Sequence, residues 1–160
     1  MTAPAHQAIR SPLARELQGS RAGFISRLAA DGIDALIVIS VDFGILFFFG
    51  LMRFLIERGD FQLPTPPLWY TTISLWTIAV IYLTSGWGTT GRTVGKSIIG
   101  LRVLNADGAP LSWKRAFFRA LVCCTIGWIL LFWILVSRRS AGFHDVMLHT
   151  AVVYDWQTDL

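Results

Sequence analysis

Three long apolar stretches, residues 32–52, 68–83 and 116–136, decide what this chain can become. A helix rises 1.5 Å per residue, so crossing a hydrocarbon layer of about 30 Å takes roughly 20 apolar residues, close to the length of each stretch. A water-soluble domain of 160 residues would leave too much of that surface exposed. Composition agrees: 54% of residues are hydrophobic and only 15% are charged, with a mean hydropathy of +0.55, whereas soluble domains carry about 25% charged residues. The expectation is an all-α membrane protein of one domain, built on three hydrophobic helical segments.

The formal net charge is +4, and the positions of the charges say more than their sum. Arg10, Arg15, Arg21 and Arg27 precede the first segment, while Arg92, Lys96, Arg102, Lys114, Arg115 and Arg119 lie between the second and third. Basic residues stay on the cytoplasmic side, which puts the N-terminus and the second connection there. The first connection balances Arg53 and Arg58 against Glu57 and Asp60 and holds Pro64, Pro66 and Pro67, as suits a short loop on the far side. Beside such hydrophobicity the basic residues read as topogenic charges near anionic headgroups; nucleic acid is not an expected partner. The first twenty residues have arginines but no apolar core and no cleavage site, so the first segment is expected to remain as an uncleaved anchor. Cys123 and Cys124 are adjacent in an apolar run without metal-ligand spacing, and read as packing residues. No metal or cofactor is expected.

Along the chain, residues 1–21 form a polar tail, 22–154 the membrane domain and 155–160 a second tail. Ser11-Pro12 can open a short amphipathic helix with Leu13 and Leu17 on the membrane surface, or the tail can simply fray. Trp69 and Tyr70 open the second segment and Tyr82 and Trp87 close it, about 27 Å apart as interfacial aromatic belts would be. Residues 86–100 hold five glycines. After them Leu101-Arg102-Val103-Leu104 reads as a short strand entering a turn at Asn105-Ala106-Asp107-Gly108, and residues 149–154 read as another, together a small cytoplasmic hairpin-like element. The third segment has basic flanks on both sides, Arg119 and its neighbours before and Arg138 and Arg139 after. Either it crosses once as a straight helix, or it is re-entrant or strongly tilted, turning near Gly127 so that both strands stay on the cytoplasmic side.

The first segment is not uniformly apolar. Arg27, Asp31, Asp34 and Asp42 fall within an arc of about 80° at 100° per residue, a polar stripe that does not face lipid. Asp34 lies about 10 Å along the axis from Arg27. A charge at mid-membrane costs at least about 2.5 kcal/mol, so its carboxylate must be paired, hydrated or protonated. The stripe is either a polar pathway for an ion, proton or small solute, or an Arg–Asp clamp in which Arg27 pairs with Asp31 at i,i+4 and Arg119 completes the network.

These residues resemble the RDD family of bacterial membrane proteins. The resemblance runs through Ser26-Arg27-Leu28-Ala29-Ala30 with Asp34, Gly88-Thr89-Thr90-Gly91-Arg92-Thr93-Val94-Gly95-Lys96, Gly100-Leu101-Arg102-Val103, Arg119, His144-Asp145 and Thr150-Ala151-Val152-Val153, covering about residues 22–154. By position it assigns the family's arginine and two aspartates to Arg27, Asp34 and Asp145, with Asp31 and Asp42 as additions to the pattern. It implies a cell inner membrane location and transport of unidentified ligands, with cation/proton exchange suggested for some members.

Enzymatic function is not expected. Gly91 and Gly95-Lys96-Ser97 imitate a phosphate-binding loop, but three residues separate the glycines where four are required, so Lys96 is expected at the headgroups. His144-Asp145 has no nucleophile motif beside it. Two functions remain: a transport protein or transporter subunit using the acidic stripe, or an accessory or scaffold subunit whose stripe docks a larger membrane partner. Three segments hardly enclose a pathway, so the partners expected are the lipid bilayer and either further copies of the chain or a larger membrane protein.

Overall fold

The computed structural model describes residues 19–20, 22–57, 60–105, 111–136 and 150–155, with side chains of the last helix described to residue 125. Its elements are α1 (Phe24–Glu57), α2 (Leu68–Thr89), α3 (Val94–Ile99), β1 (Leu101–Asn105), α4 (Trp113–Val136) and β2 (Thr150–Tyr154). The N-terminal amphipathic helix, the turn at Ala106-Asp107-Gly108, and Arg138, Arg139, His144 and Asp145 lie outside the described residues.

α1 spans 34 residues, longer than its apolar stretch, and α2 spans 22. Both are long and apolar enough to cross a membrane, and protein buries only 17% and 6% of their apolar windows. Core helices of a soluble protein would be covered; these present Ile39, Phe43, Phe47, Ile73 and Ile81 outward. Pro67 stands at the N-cap of α2, where a proline ring costs no hydrogen bond, while the prolines before it keep the chain extended. The two helices run antiparallel in a fixed register. Asp42 meets Ser74 and, eight residues nearer the N-terminus, Asp34 meets Tyr82, eight residues further along α2.

α4 continues unbroken through Gly127 over 24 residues, so the return expected as one alternative at that glycine is not what the backbone does. A glycine costs about 1 kcal/mol inside a helix, whereas a turn in apolar surroundings strands backbone groups at several kcal/mol each. The helix is the cheaper conformation.

The two expected strands form, and pair antiparallel with Leu101 opposite Tyr154 and Val103 opposite Val152. α4 intervenes between them in the chain, so this is a long-range pair and not a hairpin. The other edge of β2 is occupied by Gly19, Ser20 and Ala22: Gly19 N–H donates to Tyr154 O (2.8 Å), Tyr154 N–H to Ser20 O (3.0 Å) and Ala22 N–H to Val152 O (2.9 Å). Both edges of β2 are thereby closed. Leu101, Val103 and Val152 are buried with Ala22, Ala30, Val80, Trp87, Ala116 and Ala120. The protein's packed core therefore lies at one end of the helices, where sheet and helix termini meet.

Candidate functional site: a saturated carboxylate

That same end holds a cluster of buried charges. α1 points Asp34 at α2 and at the short α3 that follows it, and Asp34 is only 4% exposed. Its Oδ1 accepts from the Tyr82 hydroxyl at 2.7 Å and from Gly95 N–H at 2.8 Å. Its Oδ2 accepts from the Thr93 hydroxyl and stands 3.7 Å from Lys96 Nζ. Three hydrogen-bond donors and one ammonium, from two other segments, thus surround one carboxylate. In a low-dielectric setting such a set offsets the desolvation of the charge, which would otherwise be prohibitive.

Local sequence explains why the donors arrive there. Thr93 caps α3, accepting Lys96 N–H at 3.4 Å while its own proton goes to Asp34. Gly95 lies against α1 so tightly that a Cβ there would collide with Ala30 O and come within 2.8 Å of Asp34 Oδ1. Only glycine lets the two backbones approach this far. Gly100, at φ 76°, ends α3 in the left-handed region and sends the chain into β1. Tyr82 serves twice, donating to Asp34 and accepting Val94 N–H at 3.1 Å.

Lys96 was expected at the headgroups; instead it is buried, 4% exposed. Its ammonium lies 2.6 Å from Asp31 Oδ1 and 5.4 Å from the Trp87 ring centroid. The reason is the close approach at Gly95, which brings the next residue onto the acidic face of α1. Arg119, 1% exposed, packs on the same indole with its guanidinium carbon 5.0 Å from the centroid.

The expected Arg27–Asp31–Asp34 clamp does not form. Arg27 Nε donates to Ala22 O at 3.1 Å and Nη2 to Val152 O at 3.4 Å, tying α1 to the chain before it and to β2. Helical side chains lean toward the N-terminus, so Arg27 reaches away from two acids placed one and two turns later. Asp31 takes Lys96 in its place, and Arg119 is not a partner of Asp31, Asp34 or Asp42. Asp42, 6% exposed, accepts from Ser74 Oγ at 2.5 Å. The stripe is thus not one network: Asp31 and Asp34 share Lys96, while Arg27 and Asp42 make contacts of their own. Asp145 lies outside the described residues.

Sequence reasoning missed Tyr82, Thr93 and Lys96 as partners of the acids, and Ser74 with them. A signal existed: Asp34 and Asp42 are eight residues apart in the first segment, as Ser74 and Tyr82 are in the second. It also assigned Asp155 to a tail. Asp155 Oδ2 receives Arg92 Nη2 at 2.7 Å and Arg102 Nη1 at 3.0 Å, and its N–H donates to Gly100 O at 2.8 Å. Among the described residues no three of His, Cys, Asp and Glu come together as a metal-ligand set.

Compared with known proteins, the chain matches the family model described as the RDD family over residues 21–149. No curated protein and no solved structure matches it.

Proposed function

The chain belongs to the RDD family of membrane-associated proteins with apolar helices, and from that premise we propose that it is a multi-pass protein of the bacterial inner membrane, acting as an accessory or scaffold subunit of a larger membrane assembly. The burial and bonding of Asp34 carry this reading. A carboxylate that binds and releases a cation or proton needs its oxygens open during its cycle, whereas three hydrogen bonds already occupy the oxygens of Asp34 and the Lys96 ammonium stands 3.7 Å from its Oδ2. Such a group fastens α1 to α2 and α3. With the fold locked at that end, the chain offers a rigid membrane anchor on which other subunits, or copies of itself, assemble.

A transport reading keeps one specific support. Asp42 stands at the centre of the apolar stretch 32–52 and has one hydroxyl, Ser74, as its hydrogen-bond partner. Buried ionisable groups at such depth commonly serve ion or proton paths.

The two readings separate in vesicles. Purified chain reconstituted alone is expected to carry no cation or proton flux above empty vesicles, and to elute from mild detergent extracts of native membranes together with another subunit or a second copy. Flux by the chain alone, abolished by Asp34→Asn at unchanged melting temperature, would overturn the scaffold reading; flux abolished by Asp42→Asn instead would establish the transport one. The basic connection is assigned to the cytoplasmic side, so a cysteine introduced as Asn105→Cys should be protected from an impermeant external reagent.

A further inference from the structure

After α2 ends, the chain does not hang beyond the helix pair. Val94 N–H reaches Tyr82 Oη at 3.1 Å and Gly95 N–H reaches Asp34 at 2.8 Å. This sets the first turn of α3 beside Tyr82, seven residues and so about 10 Å inside the end of α2 at Thr89. The sequence places the expected membrane boundary at this end of α2, at the level of Tyr82.

The two sides of α3 are treated differently. Gly95 and Lys96 face inward and are buried, while Val94 and Ile98, one turn apart, are 51% and 62% exposed. Removing such side chains from water is favourable, and no protein surface covers them among the described residues. Exposed apolar side chains continue around the same end of the molecule: Ile25 and Leu28 on α1, Phe117 and Phe118 on α4. Trp113, Lys114 and Arg115 open α4 beside them.

We infer that α3 is an interfacial helix whose Val94 and Ile98 sit in the boundary between acyl chains and headgroups of the bilayer. The occupant of this face is lipid for three reasons: α3 packs on α1, whose own exposed side chains are largely apolar, it lies at the level of Tyr82, and Lys114, exposed at the start of α4, supplies positive charge that phosphate headgroups attract. The apolar collar then encloses the Asp34–Lys96 cluster inside the membrane boundary, where its hydrogen bonds are stronger than in water. The inference rests on reading α1 and α2 as membrane-crossing.

It is tested on the full chain in vesicles of phosphatidylcholine and phosphatidylglycerol, with Cys123 and Cys124 replaced by alanine and single cysteines introduced as Val94→Cys, Ile98→Cys or Thr77→Cys. Each carries an environment-sensitive fluorophore, and the lipids are brominated at shallow or deep acyl positions. The expected result is blue-shifted emission at 94 and 98, quenched more by shallow than by deep bromines, with the reverse order at Thr77, exposed in the middle of α2. Water-like, unquenched emission at 94 and 98 with quenching at 77 overturns the inference and leaves the crossing helices standing. Blue-shifted but unquenched emission at 94 and 98 overturns it too, since protein then covers the face. Absence of quenching at 77 removes the membrane-crossing premise and the inference with it.

Discussion

Replacing Asp34 by asparagine keeps the shape of the side chain and removes its charge. The amide oxygen can still accept from Tyr82 and Gly95, but an NH2 group then confronts the Thr93 hydroxyl, which donates to Asp34, and the Lys96 ammonium 3.7 Å away. Lys96 keeps Asp31 at 2.6 Å, so its charge is not wholly stranded. The loss is accordingly that of one charge-assisted hydrogen bond and of a nearby cation's attraction, about 2–3 kcal/mol. Asp34→Ala, which empties all four contacts, approaches the 3–5 kcal/mol typical of breaking a buried pair. At roughly 2–4 °C per kcal/mol for a chain of this size, Asp34→Asn should lower the melting temperature in detergent by about 4–12 °C. The decisive measurement is a pair of double-mutant cycles. Asp34→Asn with Lys96→Met should be less harmful than the sum of the single changes, by about 0.5–3 kcal/mol. Asp34→Asn with Arg27→Ala should be additive within about 0.5 kcal/mol, because the two side chains share no partner among the described residues. Strong coupling to Arg27 and none to Lys96 would refute the geometry of the site.

Three further outcomes follow from the same contacts. Gly95→Ala should cost about 1–3 kcal/mol through its collision with Ala30 O and the Asp34 carboxylate, whereas Gly32→Ala, which meets nothing within 4 Å, should melt at or above wild type. Asp155→Ala, which removes the shared partner of Arg92 and Arg102, should speed amide exchange at Val103 and Val152 while leaving the amides of α1 unchanged. Ser74→Ala should destabilise by about 1–3 kcal/mol by depriving buried Asp42 of its hydroxyl, and Ser74→Thr, which keeps the hydroxyl, should recover most of that loss.

Helix existence, the strand pair and the acidic stripe were all legible in the sequence, because each is set by local chemistry. Runs of apolar residues demand helices in lipid, and Leu101 and Val103 alternate with Arg102 as a half-buried strand requires. Val103 opposite Val152 matches the pairing that this pattern suggests. The choice of partners was not legible. Periodicity placed Arg27, Asp31 and Asp34 on one face, but a face does not tell which way a long side chain leans, nor what a later segment brings to it. Lys96 reached the acids because Gly95 permits a close backbone approach, a three-dimensional event with no signature beyond a glycine. Asp155 escaped notice because its arginines precede it by 63 and 53 residues. The family assignment came from separate motifs in order, and the match over residues 21–149 establishes it.

The donors of Asp34 also impose an order on biogenesis. Thr93 follows Asp34 by 59 residues and Gly95 by 61, so at synthesis rates of 5–20 residues per second the carboxylate waits about 3–12 s for them. Tyr82 is made 48 residues after Asp34, and until residue 93 it is the one partner of the acid that exists. Over that interval the carboxyl group, wherever its surroundings are apolar, must be hydrated or protonated. Arrival of the turn at residues 93–96 ends that condition, so the contact that stiffens the finished protein forms only once synthesis has passed the second helix.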